Sequence, residues 1–148
     1  PLTTHDSSLS VCVQSIIAGE IGEHQKALEY FHFAATMDLS DVGGNVKHGA
    51  HIASIGGTWL ALVYGFGGLR DHGGHLSFDP KLPKIWSGLT FHLEVRGSRL
   101  RIEAGHERTR YTLLQGPTVD LTHRGRDVTL TPDAPVVELP EAAEAAAE

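Results

Sequence analysis

Apolar residues recur at two different periods along this chain, and the change from one to the other falls near residue 70. Before it the period is helical. Asp6, Ser7 and Ser8 offer capping side chains ahead of Leu9, Val11, Cys12, Val13, Ile16 and Ile17, and Gly22 offers a stop, which predicts a helix over Ser8 to Ile21. A second helix, Glu23 to Met37, carries Ala27, Leu28, Phe31, Ala34 and Ala35 as one apolar stripe, opposite Gln25, Lys26, Glu29 and His32. In the third, His51 to Phe66, the residues Ile52, Ile55, Trp59, Leu62, Val63 and Phe66 have helical spacing and the positions between them are small or apolar. A helix without a polar face is expected to be buried.

Beyond Gly74 the alternation is by two. Leu89, Phe91, Leu93 and Val95 alternate with Thr90, His92, Glu94 and Arg96; past Gly97 and Ser98, Leu100, Ile102 and Ala104 alternate with Arg99, Arg101 and Glu103. This predicts a hairpin. Further strands are expected at Thr109 to Leu114, Thr118 to Thr122 and Asp127 to Thr131, punctuated by Gly116, Pro117, Gly125 and Pro132. The fold class that follows is α+β, with helices first and a small antiparallel β-sheet domain after them. The ending PEAAEAAAE has no large apolar side chain to dock, so residues 141–148 are expected to be a disordered acidic tail.

Composition narrows the partners. With 148 residues, 41% of them hydrophobic, the chain can bury a real core. A formal net charge of −6 argues against nucleic acid, which would call for a basic face. The single cysteine, Cys12, cannot form an internal disulfide and suits a reducing compartment, so a cytoplasmic location is expected. The uncharged run Ile52 to Leu69 touches the lower limit for a membrane span, but it is rich in Gly and is followed at once by Arg70, Asp71 and His72. A core helix is the better account, and no membrane partner is expected. The chain begins with Pro1 rather than Met, which suggests a piece of something longer.

The candidate chemistry lies around the third helix. His48 with His51, and His72 with His75, are spaced as a metal pair could be, yet Gly49, Gly73 and Gly74 make both pairs loop-like, and no metal is expected. The run GFGGLR matches neither nucleotide-loop pattern. Anions, however, bind at helix N-termini through free backbone N–H groups. An up, down, up path would bring the starts of the first and third helices together, with Ser7, Ser8 and His51 able to converge on one anion. On spacing alone the simpler account is that Ser7 and Ser8 are N-caps and His51 is a polar residue at a helix start.

The motifs in order are TTHDSSLS, GEIGEHQKALEYF, MDLSDVGGN, HGAHIASIGGTWLALVYGFGGLR and LSFDPKLPKIWSGLTFHLEVRGSRLRIE. Over residues 1 to about 104 they resemble the C-terminal end of glycoside hydrolase family 65, the maltose, trehalose and kojibiose phosphorylases with some trehalose-cleaving hydrolases. The resemblance implies that residues 1–70 are the last helices of an (α/α)6 barrel and residues 71–140 the C-terminal β-domain. It implies phosphate binding by Ser7, Ser8 and His51, with inorganic phosphate as co-substrate and no other cofactor. The implied reaction is inverting phosphorolysis of an α-glucosyl disaccharide (maltose, trehalose or kojibiose) to β-glucose 1-phosphate and glucose, with a Glu as general acid. That Glu is expected upstream of this chain, because Glu20, Glu23, Glu29, Glu94, Glu103 and Glu107 match no such motif and read as surface charges. The chain alone is expected to be inactive. One departure is Ala50, where the family has a bulky aliphatic residue before the His.

Two other readings stay open here: the end of a family 65 hydrolase, or a non-catalytic carbohydrate-binding or structural module using Trp59 and Trp86 as sugar platforms. Trp59 reads better as core, and Trp86 as a packing residue. Helices cut from a closed barrel would expose apolar faces, so self-association is expected.

Overall fold

A computed structural model of the protein describes residues 8–41, 47 and 49–141. The expected tail lies largely outside the described residues, as does Ser7. The chain divides into two compact units between Gly68 and Leu69.

In the first unit, α1 spans Ser8–Glu20, α2 spans His24–Thr36 and α3 spans Ile52–Leu60. Gly22 ends α1 as the pattern predicts: at φ +84° it lets Glu23 N–H reach back to Ala18 O (2.8 Å) while its own N–H reaches Gly19 O (3.3 Å). This is a Schellman closure, which glycine's missing Cβ permits. The chain then reverses, and α2 packs antiparallel on α1. Ser15 Oγ donates to Ala27 O at 2.8 Å near one end. Val11 and Cys12 cluster with Ala34 and Tyr30 near the other.

The third helix continues past Leu60 as a wider π-helical turn, Ala61–Phe66. Its periodicity predicts one uninterrupted α-helix, so the widening is a departure; it coincides with the point where Gly65 runs beside the Ile16 backbone. A second departure concerns burial. Ser54, Ala61, Val63 and Phe66 are buried, but Ile52 is 74%, Ile55 54% and Trp59 45% exposed. Trp59 is therefore not core within this chain. The reason is that the inner side of the helix meets α1 and α2, while nothing among the described residues covers the other side. No helix among the described residues is long and apolar enough to cross a membrane.

The second unit holds seven strands in two sheets: β1 (Leu76–Phe78), β2 (Leu89–Val95), β3 (Ser98–Ala104), β4 (Arg108–Gln115), β5 (Val119–His123), β6 (Arg126–Leu130) and β7 (Val136–Pro140). One sheet has the order β1-β5-β6, the other β2-β3-β4-β7. The predicted hairpin forms in the register that its alternation requires, from Leu89 opposite Ala104 to Val95 opposite Ser98. Its turn uses Arg96 (φ 49°) and Gly97 (φ 80°), the doubly left-handed pair that matches strand twist in two-residue hairpins. The expectation of a single antiparallel sheet needs correction, since there are two sheets and β1 pairs with β5 in parallel. Phe78 of one sheet meets Tyr111 and Phe91 of the other, with ring centroids 5.2 and 6.5 Å away. Leu100, Ile102, Leu121 and Leu130 are buried as well.

Candidate functional site at the start of the third helix

Three contacts fix how the third helix lies against α1. Cys12 Sγ donates to Ser54 O at 3.7 Å, and Gly57 faces Cys12 while Gly65 faces Ile16. Residue numbers rise together along both helices, so α1 and α3 run parallel and start at the same end. At a rise of ~1.5 Å per residue, Ser8 lies ~6 Å before Cys12 and His51 ~5 Å before Ser54. The two helix starts are thus at about the same height. Ser8 opens α1, but its side chain and all of Ser7 lie outside the described residues. Of the three predicted site residues, only His51 has a described side chain.

His51 is the N-cap of α3. Its carbonyl accepts the first helical hydrogen bonds, from Ser54 N (2.9 Å) and Ile55 N (3.0 Å), and Gly49 turns the chain into this position at φ +106°. Its side chain does not cap its own helix. Instead, Asp38, just past the end of α2, takes both of its donors. Oδ2 accepts the His51 backbone N–H at 2.8 Å, and Oδ1 lies 2.5 Å from Nδ1 of the ring. The hydrogen bond from the ring, then that from the backbone, lower the pKa of Asp38 below its ordinary value. Both side chains keep access to solvent, at 25% for His51 and 21% for Asp38.

The sequence gives no role to Asp38. It stands in MDLSDVGGN, thirteen positions from His51, and only the antiparallel return of α2 makes them neighbours. A carboxylate between two helices and ahead of a candidate anion ligand is the one signal that could have singled it out.

Among the described residues, the glutamates weighed from the sequence form no catalytic pair. Glu20, Glu23, Glu29, Glu94 and Glu107 are exposed, and Glu103 pairs with Arg101 at 3.2 Å. Burial pushes the Cys12 thiol pKa up, which argues against a nucleophilic role. Trp86 is half-buried in the loop before β2, where its carbonyl lies 2.7 Å from His106 Nε2.

Parallel helices that start at the same end, followed by a unit of two β-sheets, do not by themselves name a class of protein, and comparison with known proteins supplies it. The glycosyl hydrolase family 65 central catalytic domain matches residues 1–60, and the C-terminal domain of the same family matches residues 69–130. The chain belongs to glycosyl hydrolase family 65. An α,α-trehalose phosphorylase of Thermoanaerobacter brockii is 43% identical over 130 residues, covering 88% of this chain and 17% of that protein. A maltose phosphorylase of Bacillus subtilis is 38% identical over 116 residues, 78% of this chain and 15% of that one. A solved structure of a human-microbiome protein, described provisionally as a kojibiose phosphorylase, superposes with a TM-score of 0.87 at 32% identity, covering 96% of this chain and 20% of that chain. The chain thus spans less than a fifth of the length of these curated relatives.

Proposed function

We propose that this chain is the C-terminal part of a family 65 disaccharide phosphorylase and supplies the phosphate side of its active site. In this reading α1 to α3 are the last helices of an (α/α)6 barrel, and α1 and α3 are inner neighbours. Ser7, Ser8 and His51 hold inorganic phosphate, which attacks the anomeric carbon of an α-glucosyl disaccharide. An upstream Glu protonates the glycosidic oxygen from the opposite face. The products are β-glucose 1-phosphate and glucose, in a cytoplasmic enzyme without another cofactor. The observation that carries the reading is the common end of α1 and α3, where helix-start N–H groups and His51 can meet one anion. Because phosphate is itself the nucleophile, the protein's task here is to position it and offset its charge.

The test uses the full-length enzyme that carries this segment, with maltose, trehalose and kojibiose supplied separately, with and without phosphate. Phosphate-dependent release of glucose 1-phosphate, lost in the isolated chain, is the expected result. Release of glucose alone, independent of phosphate, would identify a hydrolase. Activity of the isolated chain would mean that the acid lies within these residues.

A further inference from the structure

We infer that Asp38 is the positioning residue for His51: its carboxylate ties down the start of α3 and the ring Nδ1 together, and so presents Nε2 to the phosphate. This rests on the phosphate reading above. An ionised carboxylate only accepts hydrogen bonds. The nitrogen that faces it at 2.5 Å must therefore carry the hydrogen, which makes Nδ1 the donor. The tautomer follows from that partner, as it does wherever a carboxylate stands behind a working histidine.

Nε2, on the opposite edge of the ring, is left for the anion. In the neutral ring it accepts an O–H of phosphate; in the doubly protonated ring it donates to a phosphate oxygen. Either state serves, whereas the other tautomer would send a bare Nδ1 against the carboxylate. The second tie removes the remaining freedom. Because Oδ2 also holds the His51 backbone N–H at 2.8 Å, the carboxylate is fixed in the frame of the helix itself. An imidazole that is 25% exposed would otherwise sample several rotamers. The same residue thus sets the helix start, which offers N–H groups, and the direction of the side chain.

The experiment compares Asp38→Asn, Asp38→Ala, His51→Ala and the double alanine variant in the full-length enzyme. Asn at position 38 keeps an oxygen for the backbone N–H, which protects the helix start, but removes the charge. Asp38→Asn is expected to raise the KM for phosphate by about 10-fold to 100-fold, the range seen when a group orienting a metal-binding histidine is lost. The KM for disaccharide should stay within about twofold, and the double variant should be no worse than His51→Ala. Selective 15N labelling of histidine gives a readout free of phosphate: Nδ1–H in the wild type, moving toward Nε2–H in Asp38→Asn. If that variant does not fold, the wild-type tautomer decides alone. An Nε2–H tautomer in the wild type, or losses that multiply in the double variant, would overturn the role of Asp38. A phosphate KM unchanged in His51→Ala would overturn the phosphate reading instead.

Discussion

The sulfur of Cys12 stands 2.6 Å from the point where a Cβ on residue 57 would lie, and the Cys12 Cβ stands 3.0 Å from it. Gly57 is the only residue type that lets α3 approach α1 this closely, and the approach holds the two helix starts level. Gly57→Ala is therefore expected to push the helices apart and destabilise the unit by about 1–3 kcal/mol, as overpacking does. Thermal unfolding checks it. Adding Cys12→Ala to the same chain should restore part of the loss, since the two changes share one space. Equal melting of Gly57→Ala and wild type would show that the neighbours give way freely.

Cys12 is also expected to be chemically quiet. Burial raises its thiol pKa, so little thiolate is present near neutral pH. Iodoacetamide at pH 7.5 should label the folded protein far more slowly than the unfolded one. Rapid labelling in the native state would place the thiol in contact with solvent.

Much of the architecture is legible from periodicity, because the pattern that predicts an element is also what buries it. Gly22 stops α1 and Gly97 turns the hairpin for reasons of backbone conformation that a sequence carries openly. The strands that escape notice are those with weak local signals. β1 is only Leu76–Phe78, too short to alternate, and β7 ends at Pro140, which is tolerated because β7 is an edge strand. The candidate site divides in the same way. His51 is visible as a residue at a helix start, but Asp38 becomes its partner only through packing between helices. The exposed side of α3 was illegible for the opposite reason: its composition implies a covering surface, and the cover is absent among the described residues.

A buried polar cluster in the β-unit should make its stability depend on pH. The Tyr111 hydroxyl lies 2.8 Å from His123 Nδ1, and His123 Nε2 lies 3.7 Å from Glu141 Oε1. Glu141 accepts from Thr109 Oγ1 at 2.5 Å, and its Oε2 is 2.8 Å from Arg124 Nη2, which also faces Asp79 through Nε. Burial lowers the pKa of His123, with Glu141 and Asp79 opposing and Arg124 and Arg126 assisting. Its unfolded value is about 6.5, so above that pH neither state binds the extra proton. As the pH falls below about 6.5 the unfolded chain takes up the proton first, and stability is lost until the folded pKa is passed. Melting temperature should therefore drop between pH 7.5 and 5.5, with a smaller drop in His123→Gln. An equal drop in both would assign the dependence to other groups. Tyr111→Phe at pH 7.5 should cost about 1–3 kcal/mol, since it strips a buried nitrogen of its partner.

The exposed apolar side of the helical unit gives the last prediction, and its sign depends on what covers that side. Ile52, Ile55 and Trp59 are exposed on α3, Val13 and Ile17 on α1, and Ile21 just past its end. Exposed apolar surface of this kind usually marks an interface or an aggregation hazard. If upstream helices of a barrel cover it, as the proposed function requires, the isolated chain should self-associate in sedimentation experiments as its concentration rises. Ile55→Glu should then act in opposite directions in two settings. In the isolated chain it should reduce association, because a charge on an exposed face opposes contact between copies. In the full-length enzyme it should lower the melting temperature, because the same charge would be buried without a partner. Trp59 reports the difference directly in proteins where every other tryptophan, Trp86 included, is replaced by Phe: acrylamide should quench its fluorescence in the isolated chain and far less in the full-length enzyme. Equal quenching in both would mean that Trp59 faces solvent in the intact protein, and the placement of α3 as an inner barrel helix would have to be abandoned.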